Sequence, residues 1–259
     1  MINIPEMPPS VDKAVENLTD KPTQVIGKGV AAMFSLVFNP IIHFNDKKQA
    51  KYMHALEIYE KGLQTKVAAI PEENLIEPKL QIVAQALEDS KYCVEEPSLR
   101  DLFENLVASA SDNRKADAIH PSFSTILKQM SPQDAAVMQR IKQGAGKYGS
   151  RFPVARLKYI KPSIEGEYYL TNDIMIPDPS AVSKTLSSDS LSNLSALGLI
   201  SIDYSEWLVA KEAYEVFDQY AEANGYKAQV EQVGGKIEIG KGICGLTPYG
   251  QNFAQACGL

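Results

Sequence analysis

Apolar residues recur at three- and four-residue steps through most of the first half of the chain. Between Lys47 and Ala69, Tyr52, Ala55, Leu56, Tyr59 and Leu63 share one helical face, with Lys and Glu on the others. Ile70-Pro71 ends that pattern, because proline disfavours helical backbone in the residue before it. A helix opening near Pro78 is expected to bury Leu80, Val83, Ala84 and Leu87. The stripe Leu99, Leu102, Phe103, Leu106 and Ala110 predicts a third helix with Pro97 near its start, and Phe123, Ile126 and Leu127 predict a shorter fourth. Ser131-Pro132-Gln133-Asp134 is a helix start: a serine cap, proline at the first helical position and a carboxylate in the first turn. Val137, Met138 and Ile141 follow as its buried face. Amphipathic helices joined by short loops pack antiparallel as a bundle.

From about Gly144 the pattern changes. Glycines at 144, 146 and 149 loosen the chain, and β-favouring residues appear in Phe152-Pro153-Val154 and from Tyr168 to Ile176. Ser190 is placed to cap a helix bearing Leu191, Leu194 and Leu197, with Gly198 ending it in a left-handed turn. Leu199 to Ile202 then reads as a strand, Trp207 to Ala223 as a helix ended by Asn224-Gly225, and Ala228 to Val233 with Lys236 to Gly245 as a hairpin turning at Gly234-Gly235. Thr247-Pro248 opens a last helix with Gly258 past its end.

The fold class expected is therefore α+β and predominantly helical, with an N-terminal helical bundle followed by a small winged-helix-like α+β module whose wing is interrupted by an inserted helix. The expected domains are an extension at 1–45, the bundle at 46–143 and the module at 144–259.

The extension holds the most apolar stretch, Gly29 to Asn45, which carries no Asp, Glu, Lys or Arg. Asn39-Pro40 is expected to break it after Phe38, leaving it too short for a bilayer, which takes about 20 apolar residues. A buried helix or docking segment is the plainer reading. A membrane-surface or oligomer-forming element is the alternative, although the Lys/Arg-rich polar face of interfacial helices is missing. The first 28 residues mix Glu6, Asp12, Glu16 and Asp20 with Lys13 and Lys21, unlike a secretory signal.

Composition bounds the chemistry without naming it. The chain has 259 residues, 44% hydrophobic, with 26 Lys+Arg against 32 Asp+Glu for a net charge of −6, which excludes a generally basic nucleic-acid coat. Cys93, Cys244 and Cys257 are too few for a disulfide scaffold and suit a reducing, cytoplasmic setting. The histidines are His43, His54 and His120, and no HxH, HExxH, CxxC or GxSxG spacing occurs. No cofactor, metal or catalytic residue is expected. Gly235 to Gly242 matches GxxxxGK, but glycine stands where a phosphate loop needs a hydroxyl, and the interior Lys-Ile-Glu-Ile alternates like a strand.

Five patches carry a resemblance. LFENLVASA, with Asn113, then His120-Pro121-Ser122-Phe123, then Leu127 to Ala135 containing Asp134, together with LGLI at 197–200 and LTPYGQNF at 246–253, resemble the abortive-infection alpha family over about residues 46–257. The resemblance implies a bacterial protein associated with phage resistance, whose mechanism is poorly defined and for which no catalytic residues can be carried over. His120, Pro121, Phe123 and Asp134 also have a structural explanation, as a turn and a helix start.

The remaining signal is a run without acids. Between Ala135 and Ile164 stand Arg140, Lys142, Lys147, Arg151, Arg156, Lys158 and Lys161, interleaved with Tyr148, Phe152 and Tyr159. In an acidic protein this is a local positive patch able to attract phosphates or an acidic partner, although a solvated connector would show the same pattern. No basic residue lies between Lys184 and Lys211, so the helix that would read DNA is neutral to acidic. The leading expectation is a non-enzymatic, cytoplasmic interaction protein that binds a phage or host protein, with residues 140–161 as its first surface and a homo-oligomer possible. A nucleic-acid-binding regulator using the same segment is the disfavoured alternative. A membrane-active effector acting through residues 29–44 is a further one.

Overall fold

The computed structural model describes residues 22–42, 49–144, 148–161, 168–176 and 188–259. It divides into two compact units, Met1–Gln129 with Gln255–Gly258, and Met130–Ala254 with Leu259.

The described part of the first unit is built on α1 (Pro22–Ile42), α2 (Gln49–Ala68), α3 (Leu80–Ser90), α4 (Pro97–Ala110) and α5 (Phe123–Lys128). The stripe on α2 folds as its spacing dictates: Ala55, Leu56, Tyr59 and Leu63 are buried. On α4, Leu99, Leu102, Phe103, Leu106 and Ala110 are all buried. On α3 the buried face is Ile82, Val83, Ala86 and Leu87, while Leu80, expected inside, is 66% exposed as the first helical residue. A short antiparallel bridge at Leu75 and Asp112 ties the loops around α3 and α4, and Asn113 is held there by its backbone N–H to the Asn74 carbonyl and by its side-chain oxygen, which accepts from Asn74 Nδ2 at 3.0 Å.

Residues 29–42 of the apolar stretch belong to α1, which runs on through Pro40 to Ile42; residues 43–45 lie outside the described residues. The expected break after Phe38 does not occur. Pro40 removes only the bond to the Leu36 carbonyl, next to last-turn carbonyls that lack helical partners anyway. Val30, Phe34 and Phe38 are buried, and the two phenyl rings meet Tyr59 of α2 edge-on at 5.4 and 6.0 Å. No helix among the described residues is long and apolar enough to cross a membrane.

The second unit opens with α6 (Pro132–Gly144) and continues with β1 (Phe152–Ile160), β2 (Tyr168–Tyr169), α7 (Ser188–Ala196), β3 (Ile200–Asp203), α8 (Glu212–Ala223), α9 (Tyr226–Gln232), β4 (Lys236–Leu246) and α10 (Pro248–Cys257) as far as Ala254. The division precedes α6 because that helix packs on α7 and β4. The strands form one antiparallel sheet in the order β2-β1-β4-β3, with Arg156 opposite Gly240 and Lys158 opposite Glu238. Strand alternation puts Ala155 and Leu157 of β1 into a core with Ile174, Ile176, Tyr214, Phe217 and Ala221, so Arg156 and Lys158 turn to the other face.

The expected hairpin is not there. Residues 228–233, read as its first strand, lie in α9 and its cap, because Ala, Gln and Glu favour a helix and Val230 supplies the single buried position. Gly234, at φ +72°, closes α9 in a Schellman cap, with Gly234 N–H on the Glu231 carbonyl and Gly235 N–H on that of Val230. The predicted helix from Trp207 starts five residues later, at Glu212, and leaves Trp207 in the preceding loop. Gly198 does take the left-handed turn expected of it, at φ +73°.

The LGLI and LTPYGQNF patches form one lock within this unit. Thr247 Oγ1 donates to the Gly198 carbonyl at 2.7 Å and accepts from Gly250 N–H at 2.9 Å, while Thr247 N–H donates to the Leu199 carbonyl at 3.0 Å.

Candidate functional site

An open cleft of about 390 Å³ lies over the part of the sheet where β1 meets β4. Arg156 and Lys158 of β1 reach it with the rings of Tyr169, Tyr204 and Trp207, whereas Lys241 of β4, which borders it, stands opposite Ala155 and so turns its side chain to the other face, toward Tyr214. Gly240 lines the same cleft, and Glu238 is its acidic side chain.

The cleft exists because β4 carries glycines where β1 carries long cations. A Cβ on Gly240 would come within 3.1 Å of Lys158 Cε, and one on Gly242 within 2.7 Å of the Tyr204 ring and 2.8 Å of the Asp203 carbonyl. The GKG that ends the GxxxxGK near-match is therefore strand backbone left bare so that Tyr204 can lie across it. It is not a phosphate loop, which would have to open a helix.

Arg156 is fixed rather than free. Its Nε donates to Asp173 Oδ1 at 2.6 Å, and the guanidinium sits 4.2 Å from the Tyr204 ring centroid and 5.6 Å from that of Tyr169. Burial works to lower the Arg156 pKa, but the hydrogen bond and charge of Asp173 outweigh it and raise the net value. The Tyr204 hydroxyl donates to the same Asp173 oxygen at 2.8 Å; burial first, and then that carboxylate, push its pKa far above the ordinary range. Tyr204 is thus a donor and a wall, not an acid–base group. Lys158 Nζ lies 5.9 Å from the Tyr169 centroid, and Lys241 Nζ lies 5.3 Å from that of Tyr214.

The seven cations of the 140–161 segment do not make one surface. Arg156 and Lys158 line the cleft. Arg140 and Lys142 are on α6, half-buried and exposed respectively, and half-buried Lys161 follows β1. Arg151 is exposed and ion-paired with Glu206, and both line a separate polar hollow of about 250 Å³ with Asp203. Lys147 lies outside the described residues. Tyr169, Tyr204 and Trp207 complete the cleft from other elements. Trp207 is the one whose sequence signal, a single tryptophan in a polar loop, could have marked it.

Exposed His120 sits in a turn, where Nδ1 accepts from Ser122 N–H at 3.2 Å, and exposed Pro121 leads into buried Phe123, whose ring is 6.3 Å from the imidazole. Asp134, 3% exposed, closes a capping box: Oδ2 accepts from Ser131 N–H at 2.7 Å while Ser131 Oγ accepts from Asp134 N–H at 3.1 Å. Asp134 also accepts from Asn193 Nδ2 at 3.0 Å, which ties α6 to α7.

The thiols offer no nucleophile. All are buried and unpaired; burial pushes Cys244 up to about 12 and Cys257 higher still. Among the described residues no group of three or more His, Cys, Asp or Glu could hold a metal ion.

A family model described as abortive infection alpha matches residues 51–257. The chain belongs to the abortive infection alpha family. The match contains every residue of the cleft and begins inside α2, so α1, with buried Val30, Phe34 and Phe38, precedes it. Comparison with curated proteins and with solved structures found no match.

Proposed function

We propose that this abortive infection alpha protein serves phage defence by recognising a partner macromolecule, a phage or host component, and that it does so by binding rather than catalysis. The observation that carries the reading is the cleft, where Arg156 and Lys158 meet Tyr169, Tyr204 and Trp207 on one open face of an otherwise acidic chain. Exposed aromatic rings beside cations supply contact area and directional charge together, the composition of binding hot spots. Trp207 is 60% exposed, a large apolar surface presented to solvent.

In this reading β3 and β4, joined through the α8–α9 insertion, act as a winged-helix-like frame that presents the cleft, and α7, which bears Asp189 and no cation, serves packing. Reduced, buried thiols suit action in the cytoplasm.

The test is protection against phage in cells producing the Lys158→Gln, Trp207→Ala double variant. Protection is expected to fall while the melting temperature holds. Full protection by a folded double variant rejects the cleft as the recognition surface.

A further inference from the structure

We propose that the outer face of α1 is the contact between two copies of this chain, packed antiparallel about a two-fold axis at the level of Phe34; the inference goes beyond the recognition role of the cleft and does not depend on it.

A helix with one side to solvent normally carries charge there, and a helix that is apolar all round belongs between two surfaces. α1 has only one. Its inner stripe, Val30, Phe34 and Phe38, is buried, with both rings against Tyr59 of α2. Gly29, Ala32, Leu36 and Asn39 lie on the opposite side of the helix and are exposed, Leu36 by 77%. Lys28 is the one charged residue in α1. The next helix, α2, exposes Lys51, Glu57 and Lys61, so a neutral outer face is peculiar to α1.

Charge decides among the occupants of such a face. A partner recognised through its charge finds nothing to pair with between Gly29 and Ile42, which hold no Asp, Glu, Lys or Arg. A lipid surface calls for a helix with a cation-rich polar face, whereas the far side of α1 is apolar core. A second copy meets neither objection. Chains of −6 repel one another wherever carboxylates meet, and a contact without charge avoids that repulsion.

The spacing makes the face self-complementary. Positions 29, 32, 36 and 39 follow at steps of three, four and three, the seam of two helices that cross at a shallow angle. Reversed about the level of Phe34, Ala32 falls opposite Leu36 of the second copy and Gly29 opposite Asn39. Each larger side chain then enters the space a small one leaves, and every contact occurs twice. A parallel pairing would instead set Leu36 on Leu36 and Gly29 on Gly29. Glycine and alanine let the helix axes approach to about 8 Å. The seam is about 15 Å long, so it holds a weak, concentration-dependent pair and not an obligate dimer.

Sedimentation equilibrium of the full chain, from about 1 to about 500 μM, is expected to show monomer passing into dimer. Leu36→Lys, at an exposed position, should weaken the dimer about tenfold or more and leave the melting temperature of the dilute protein unchanged. Ala32→Leu, which sets leucine against leucine, should weaken it about tenfold, and adding Leu36→Ala should recover most of that loss, because the exchange keeps small opposite large. A mixture of Ala32→Cys and Leu36→Cys chains should cross-link under mild oxidation far more than either variant alone, the native thiols being buried.

A chain that stays monomeric at about 500 μM overturns the proposal, as does a dimer indifferent to Leu36→Lys. Should that variant fail to fold, Ala32→Leu with and without Leu36→Ala decides alone, and a double variant no better than the single one rejects the seam. Cross-linking of each cysteine variant with itself in preference to the mixture rejects the antiparallel register. Binding of a monomeric chain to vesicles of phosphatidylcholine and phosphatidylglycerol, lost on Leu36→Lys, assigns the face to a lipid surface and likewise overturns the dimer.

Discussion

Tyr204 and Arg156 share one oxygen. Oδ1 of Asp173 receives the Tyr204 hydroxyl at 2.8 Å and Arg156 Nε at 2.6 Å, so a residue after β2 holds together two walls of the cleft that come from β1 and from the loop after β3. Charge-assisted bonds of this kind are worth about 1.5–3 kcal/mol each when buried. The Arg156 side chain is 36% exposed, so solvent screening places this pair toward the lower end. Asp173→Asn is expected to destabilise the protein by about 1–2 kcal/mol in thermal or urea unfolding, and Tyr204→Phe by about 1 kcal/mol. An unchanged midpoint in both variants would show that the clamp contributes nothing to folding.

Gly250 packs against the peptide at Leu199, where an added Cβ would overlap the carbonyl oxygen and carbon. Backbone cannot swing aside as a flexible side chain can. Gly250→Ala is therefore expected to cost about 3 kcal/mol or to prevent folding, although alanine is intrinsically the better helix residue. Circular-dichroism melting decides it, and a stabilised variant would refute the lock between LGLI and LTPYGQNF.

Gly62 of α2 presents the contrasting case. There an added Cβ would overlap only the carboxylate of Glu104, a side chain held by Lys66 Nζ at 3.3 Å and raised in pKa by burial. Gly62→Ala should destabilise by about 1–3 kcal/mol, and combining it with Glu104→Ala should cost less than the sum of the two single changes. Strict additivity in the double-mutant cycle would mean that the close approach is not what Gly62 is there for.

Asp112 predicts an acid-side loss of stability. Hydrogen bonds from Arg114, whose Nε and Nη2 lie 2.8 and 2.6 Å away, hold its carboxyl below the ordinary value of 3.8 despite burial. Because the folded value is the depressed one, the contribution is complete above the unfolded value and is lost as pH falls through the folded one. Asp112→Asn should therefore lower the melting temperature at neutral pH and narrow its gap from the parent protein as pH drops below about 3.8. A constant gap across that window would contradict the assignment.

Ser131 caps α6 in the geometry its sequence announces, so Ser131→Ala should cost about 1 kcal/mol, and Ser131→Thr should recover most of it. Urea unfolding of the pair measures the difference.

The helical half was legible because local rules decide it. The stripes on α2 and α4, the Ser131–Asp134 capping box, the left-handed Gly198 and the start of α10 at Thr247-Pro248 are each set by residues within a turn or two of one another. The readings that failed were those in which one local signal competed with another. Gly234-Gly235 looked like a hairpin turn, but the residues before it favour a helix, so Gly234 became a cap; Pro40 looked like a stop, but stands where α1 is ending anyway.

The sequence by itself determined a predominantly helical α+β chain of the abortive infection alpha type and flagged Arg156 and Lys158 within an acid-free run. Only the tertiary structure decided which cations lie together. The register that sets Arg156 against Gly240 turns Lys241 to the other face and leaves Arg156 and Lys158 among Tyr169, Tyr204 and Trp207, while Arg151 is diverted to Glu206. Helix signals span about one turn of chain, whereas a cleft is assembled across a sheet, and strand pairing leaves no mark in the spacing of the residues it unites.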